Sequence, residues 1–584
     1  MTFRRVRLGR ATLGALCAST IGLVTLGSSF TGCSQLAALA SGSKRTLCVD
    51  VGYDGGKSDG SPERPYRKIQ EAIDAAHEGD TIAVAQGRYE HGNIDIKGKG
   101  LTLLGGFEGG ARGGKAGDFK TRDHAKTPTV VVGKRETGDY KRDPAAVFLY
   151  ADSAGGKLDG FTITGGRHGI FTRYSGSAEP LVISNNIIED NGIDTPNQDE
   201  YGGGIHTEYK KVVVEANLVR RNKSGRGAGM AIAGTGGDAR VEKNVVENNI
   251  TLGDHGGGIW VSQPAVVRGN VVRGNEVVGT IINWLGGVGG GIIVVDTTAE
   301  LSDNLVTDNY AKKCGGGVFI DDGANVTMRH ERIIKNRPAH KDGMGGSGIY
   351  VDGGGVKTTT LRIDFSTIAE NAPGGPGRGN GIYATERAEV TVENSIFWNN
   401  GSTDDFNVDD TASAFIAASY SVWTGIGKGV RAGAGQLAKD PLFADPKSLD
   451  FHLRSSAGRW NPSAGAWTND AAGSSPAIDA ANPASPFADE PAPNGGRANL
   501  GFEGGTKEAS RSGGTAPADS PPAVAAASAG PSSGGLETVT TANEPPAARG
   551  GCAGCAAAPG TSDARSAGLL VAMGLLATRL RRRR

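Results

Sequence analysis

The residues of this chain whose types and placement could do chemistry are aspartates that follow glycine-rich turns. Gly317-Val318-Phe319-Ile320-Asp321-Asp322 and Gly348-Ile349-Tyr350-Val351-Asp352 are two copies of one short pattern, each reaching a carboxylate at the same step. If the copies stack in register, Asp321 and Asp352 become neighbours on one face. Two carboxylates that close repel, so they need a bound cation, a shared proton or a splayed, wet geometry. Asp321, Asp322 and Asp352 are therefore the candidate Ca²⁺ ligands, with Asp296 nearby in the alignment. Asp321 and Asp352 are equally the candidate acid pair of a glycosidase, whose carboxyl groups lie about 5 to 9 Å apart. Solvated turn acids are the plainer alternative. Elsewhere the chemistry is thin. His168, Asp254-His255 and His330-Glu331 fit no catalytic pattern and are assigned no role. There is no histidine pair on a helix, no nucleophile elbow and no phosphate loop leading into a helix. Lys+Arg and Asp+Glu balance at 62 each, which leaves no electrostatic footprint for nucleic acid.

Only a regular scaffold can bring such distant aspartates together, and the sequence supplies one. A six-residue unit with two mostly branched apolar positions closes on Asn191, Asn222, Asn249, Asn275, Asn309, Asn336, Asn371 and Asn400. Between successive copies lies a glycine-rich unit and a β-forming run, as in Gly202-Gly203-Gly204-Ile205, Gly256-Gly257-Gly258-Ile259 and Gly315-Gly316-Gly317-Val318. Uneven periods without helical periodicity suit coils of short strands whose loops vary while the strands stack. The expected fold is all-β, a right-handed parallel β-helix. In it the asparagines form a structural amide ladder and the glycines supply positive φ at another turn.

Side chains alternate across a strand, so the strands after the glycines divide into two columns. The first residues, Ile170, Ile205, Met230, Ile259, Ile292, Val318, Ile349 and Ile382, are expected in the core. The second residues are Phe171, His206, Ala231, Trp260, Ile293, Phe319, Tyr350 and Tyr383. That column reads as an exposed ring stripe. Phe171, Trp260, Phe319, Tyr350 and Tyr383 are then candidate ligand-binding residues, able to stack on sugar faces. The alternative is that a loop folds over the stripe and makes a satellite core.

Other segments carry a resemblance. Ser61-Pro62-Glu63-Arg64-Pro65-Tyr66, Ile69 to Ala76 and Gly79-Asp80-Thr81-Ile82-Ala83-Val84 resemble the opening of pectate-lyase-like β-helix proteins, and Leu158 to Gly166, Asp440 to Phe443, Ser475 to Ala480 and Gly495 to Gly501 belong to the same pattern. The resemblance spans roughly residues 48–506. It implies the fold, but not an activity, because the superfamily holds lyases, hydrolases and adhesins. The alternation of glycine and asparagine units also resembles bacterial polymorphic outer-membrane adhesins. Neither the aspartate constellation of polygalacturonases nor the basic and Ca²⁺-binding residues of pectate lyases transfer residue by residue.

The ends read as processing signals. Arg4 to Arg10, an apolar stretch and Phe30-Thr31-Gly32-Cys33 resemble a lipoprotein signal peptide over residues 1–33, with Cys33 as the lipidation site and an ordinary signal peptide as the alternative. At the other end, Gly551-Cys552-Ala553-Gly554-Cys555, a short apolar run and terminal arginines resemble a MYXO-CTERM sorting tail over 551–584; a weak tail anchor is the alternative. Between them are expected an N-terminal cap and first coils (48–110), the repeats (111–439), an irregular C-terminal cap region (440–506) and a disordered Ala/Pro/Gly/Ser stalk (507–550). Residues 66–77 are expected to form the capping helix, with Tyr66, Ile69, Ile73 and Ala76 on one face. Cys48 and Cys314 are expected as free thiols.

These readings imply an exported protein at the outer membrane or cell surface, lipid-anchored or tail-sorted. Its expected partner is a polysaccharide or cell-surface glycan, bound for adhesion. The alternative is a polysaccharide lyase or glycoside hydrolase working in a groove along the β-helix.

Overall fold

A computed structural model describes residues 44–513 apart from 91, 136–145, 152–154, 176, 195–199, 235, 280–285, 339–344, 355–356, 372–380, 402 and 410–412. The expected signal, lipidation site, most of the stalk and the sorting tail lie outside the described residues. Among those residues no helix is long and apolar enough to cross a membrane.

The repeats form stacked coils. A sheet of fifteen strands, two of eleven and one of five run along the stack, and successive coils pair in parallel from Thr46–Val49 to Val430–Ala432. Taking one coil as an example, Met230–Ile232, Asp238–Glu242, Val245–Glu247 and Ile250–His255 belong in turn to the third, first, second and fourth sheets. The expected inward column, from Ile170 to Ile382, is fully buried in one continuous core. Each such branched side chain contributes about 1.5–3 kcal/mol on burial.

The turns explain why asparagine and glycine recur together. Asn222 Nδ2 donates to Asn249 Oδ1 at 3.0 Å and to Ile188 O at 2.9 Å, while Asn249 Oδ1 also accepts the Asn222 backbone N–H at 3.0 Å. The pattern repeats from Asn191 to Asn400, so every buried amide in the column is paired along the axis. A second ladder runs beside it through Asn186, Asn217, Asn244, Asn270 and Asn304. The third glycine of each unit packs on the first ladder. A Cβ at Gly258 would stand 2.6 Å from Gly291 O and 3.1 Å from Asn275 Nδ2.

The first coil is closed by a helix, α1 (Ile69–Ala75), whose Ile69, Ala72 and Ile73 enter the core with the following Ala76. The helix is shorter than expected because Tyr66 is held extended, in a parallel bridge to Val49. At the far end Trp423 packs edge-on against Phe406 and closes the core. The irregular C-terminal region then docks on the outward side of the last coils. Its Phe443, Phe451, Leu453, Leu500 and Phe502 form a second core with Ile334, Phe365, Ala369 and Ile396 of the solenoid. Residues 507–513, expected to open the stalk, belong to this region, because Ser510 Oγ donates to Leu453 O at 2.6 Å and Arg511 N to Gly458 O at 2.8 Å.

Candidate functional site

The ring column occupies the outward side of the third sheet, as alternation requires, but it is not exposed. Phe171 is 7% exposed, Trp260 2%, Phe319 5%, Tyr350 1% and Tyr383 2%. The expectation of a surface stripe in which these five bind ligand by stacking is corrected. The glycines supply the reason. Among the described residues the first glycine of several units has positive φ (+55° at Gly227, +69° at Gly256, +63° at Gly315) and lies against a ring residue. A Cβ at Gly227 would lie 3.0 Å from Trp260 Cβ, and one at Gly315 would lie 3.0 Å from Phe319 Cβ. Room for the rings and the left-handed backbone therefore demand glycine together. The rings pack on one another instead: Phe319 and Tyr350 stack at 5.3 Å between centroids, Tyr350 and Tyr383 at 5.2 Å, and Tyr201 meets Trp260 edge-on at 5.4 Å. With Ala231, Val288, Ile293, Val295 and Cys314 they make a satellite core.

The aspartates lie at the edge of this core. Val318–Asp321 and Ile349–Asp352 pair in parallel with Phe319 opposite Tyr350 and Ile320 opposite Val351, so both strands end on aspartate one coil apart. Asp321 is buried and Asp352 partly so. Asp321 accepts the Asp322 N–H at 2.7 Å, and Asp352 accepts the Gly354 N–H at 3.2 Å and a further backbone bond from Gly353. No lysine or arginine is among the main charges acting on either. Burial, and then the neighbouring Asp352, holds Asp321 well above the ordinary carboxylate range. Burial, and then Glu386, pushes Asp352 up to about 7. Every charge the pair carries is therefore opposed by burial and by its neighbours.

Asp322 adds its charge to both members of the pair. It sits at φ +55°, in a left-handed turn, among Lys357 and Asp296, which form an ion pair with each other. Among the described residues no group of three His, Cys, Asp or Glu is placed to hold a metal ion. The expectation of a Ca²⁺ site at Asp321, Asp322 and Asp352 is corrected accordingly. What the structure does bring to the pair is Tyr350, whose buried hydroxyl has no hydrogen-bond partner, and the buried free thiol of Cys314. Asp352 is the largest charge acting on that hydroxyl.

His168 and His330 are hydrogen-bonded within the fold. His168 donates from Nδ1 to Gly202 O at 2.9 Å, and burial lowers it to about 4. Burial likewise lowers His255 to about 3, and His330 donates to Phe502 O at 2.9 Å in the C-terminal interface. Sequence reading missed the buried ion pairs beside the ring core, Arg167 with Glu200 at 2.8 Å and Arg226 with Asp254 at 3.1 Å. Their partners stand just before glycine units in different coils, and no local pattern announces them.

Residues 142–304, 247–362 and 287–422 each match the family model described as right handed beta helix region. The fold is a right-handed parallel β-helix. Residues 417–481 match a model described as disaggregatase related. Among solved structures the chain is similar to the crystal structure of pectate lyase Pel9A, with 15% identity and a TM-score of 0.35, over 79% of this chain and 96% of that one. No curated protein matches it.

Proposed function

We propose that this β-helix is displayed on the cell envelope and acts on a polysaccharide at the edge formed by Asp321 and Asp352, as a glycoside hydrolase. The observation that carries the proposal is the pair itself: two carboxyl groups at the ends of adjacent parallel strands, in register and, among the described residues, with no lysine or arginine among the main charges on them. With the ring stripe buried, a purely adhesive reading rests on the bordering loops alone. In the hydrolytic role Asp321, the more deeply buried of the two, protonates the leaving glycosidic oxygen, Asp352 as carboxylate attacks the anomeric carbon, and water then releases the sugar from Asp352. Coils repeat at about 4.8 Å, which is close to the carboxyl separation of about 5 Å found in retaining enzymes. The expected products keep their anomeric configuration.

The test is incubation of the protein with a panel of neutral, acidic and amino polysaccharides while reducing ends and unsaturated ends are recorded. Asp352→Asn is expected to reduce turnover at least a hundredfold. Unsaturated ends would assign elimination rather than hydrolysis. Retention on a polymer without turnover would return the protein to the binding class.

A further inference from the structure

We infer that the site formed by Asp321, Asp352 and Glu386 takes a sugar with a free amino group, so that the polymer it engages is cationic; this rests on the polysaccharide reading above and names its substrate class. Three carboxyl groups come from three successive coils, because Asp321 and Asp352 end paired strands and Glu386 follows Thr385, the register partner of Asp352. Among the described residues the repulsion has no remedy. Lys357 is held by Asp296, and the charges that act most on Asp321 and Asp352 are other carboxylates.

Two groups that interact with Asp352 each have a polar atom buried without a partner, the Tyr350 hydroxyl and Glu386 Oε2. Tyr350 is 1% exposed, and its hydroxyl bears on Asp352. Unmade bonds of this kind cost stability until a ligand makes them. An ammonium group supplies the missing positive charge and three N–H donors at once, while the tyrosine hydroxyl remains to donate to a sugar oxygen. A divalent ion would also supply charge, yet it needs a converging shell that the described residues do not provide. A neutral sugar would leave the carboxylates uncompensated, and a uronate would add to the repulsion. The way in is at the rim, where Asp352, Gly354 and Glu386 are partly exposed.

The inference is tested by titrating the full-length protein with a hexamer of β-1,4-linked glucosamine and with its fully N-acetylated counterpart, at low and high salt. The expected result is binding at least about tenfold tighter for the free amine, weakened by salt, and weakened about tenfold in Asp352→Asn. Glu386→Gln, in the next coil, is expected to act in the same direction, and melting curves of both variants exclude unfolding as the cause. Equal affinity for the two hexamers overturns the inference, as does amine binding unchanged in both variants. Cleavage of neutral or acidic polymers without preference for the amine overturns it and leaves the hydrolytic proposal standing. Amine-selective binding without cleavage supports it while removing that proposal.

Discussion

Glu331 stands where five earlier coils place asparagine. It accepts from Asn304 Nδ2 at 2.7 Å, and its backbone N–H donates to Ser366 Oγ at 3.1 Å, after which the ladder continues through serines. Its second oxygen is buried without a partner, and burial pushes the carboxyl up to about 8. Because the folded value lies above the unfolded one, this group costs no stability below about pH 4.5. The cost grows as pH rises toward 8, at about 1.4 kcal/mol for each unit. Glu331→Gln keeps the acceptor and removes the titration, so its thermal denaturation is expected to match wild type near pH 4.5 and to occur several degrees higher at pH 8. Equal melting curves at both pH values would reject that account. The second ladder was readable in the sequence, since Asn186, Asn217, Asn244, Asn270 and Asn304 each precede a first-ladder residue at one fixed offset. The stacking of Asp321 on Asp352 was readable for the same reason. The burial of Trp260 and Tyr350 was not, because alternation says which side of a strand a residue takes and nothing about what lies beyond it.

At the scale of the element, the glycine unit and the asparagine turn are one device. The asparagine carries hydrogen bonds from coil to coil, and the glycine leaves the backbone near enough to lie against it. Asn249→Ala would strip the acceptor from both the side-chain and backbone N–H of Asn222, and the donors to Asn275 Oδ1 and Val219 O. A loss of about 2–4 kcal/mol is expected from denaturant unfolding, since several buried groups lose partners together. A cost under 1 kcal/mol would mean that water replaces the amide. The sequence gives away the coil architecture through this pairing of residue types. It conceals α1's true length, because Tyr66 satisfies a helical face on paper while its backbone joins the sheet.

The C-terminal region decides how the molecule ends. The quoted motifs place it after the coils, but its docking site was hidden: Ile334, Phe365 and Ile396 lie apart in sequence, at positions facing away from the solenoid core. Phe502 is central, with Arg332 over its ring at 5.1 Å, its N–H donating to Thr367 Oγ1 at 3.2 Å and its carbonyl accepting from His330. Phe502→Ala is expected to cost about 3–5 kcal/mol and to open this region to protease before the coils. Simultaneous digestion of both would show that they unfold as one unit. The same fastening has a mechanical meaning. Lys335 holds Pro446 O, and Asn394 O accepts the Gly501 N–H, so the region is tied several coils inside the stack. A pull applied beyond residue 513 would therefore enter the solenoid from its side and load those ties in shear, leaving the terminal coil out of the path of the force instead of peeling it away first.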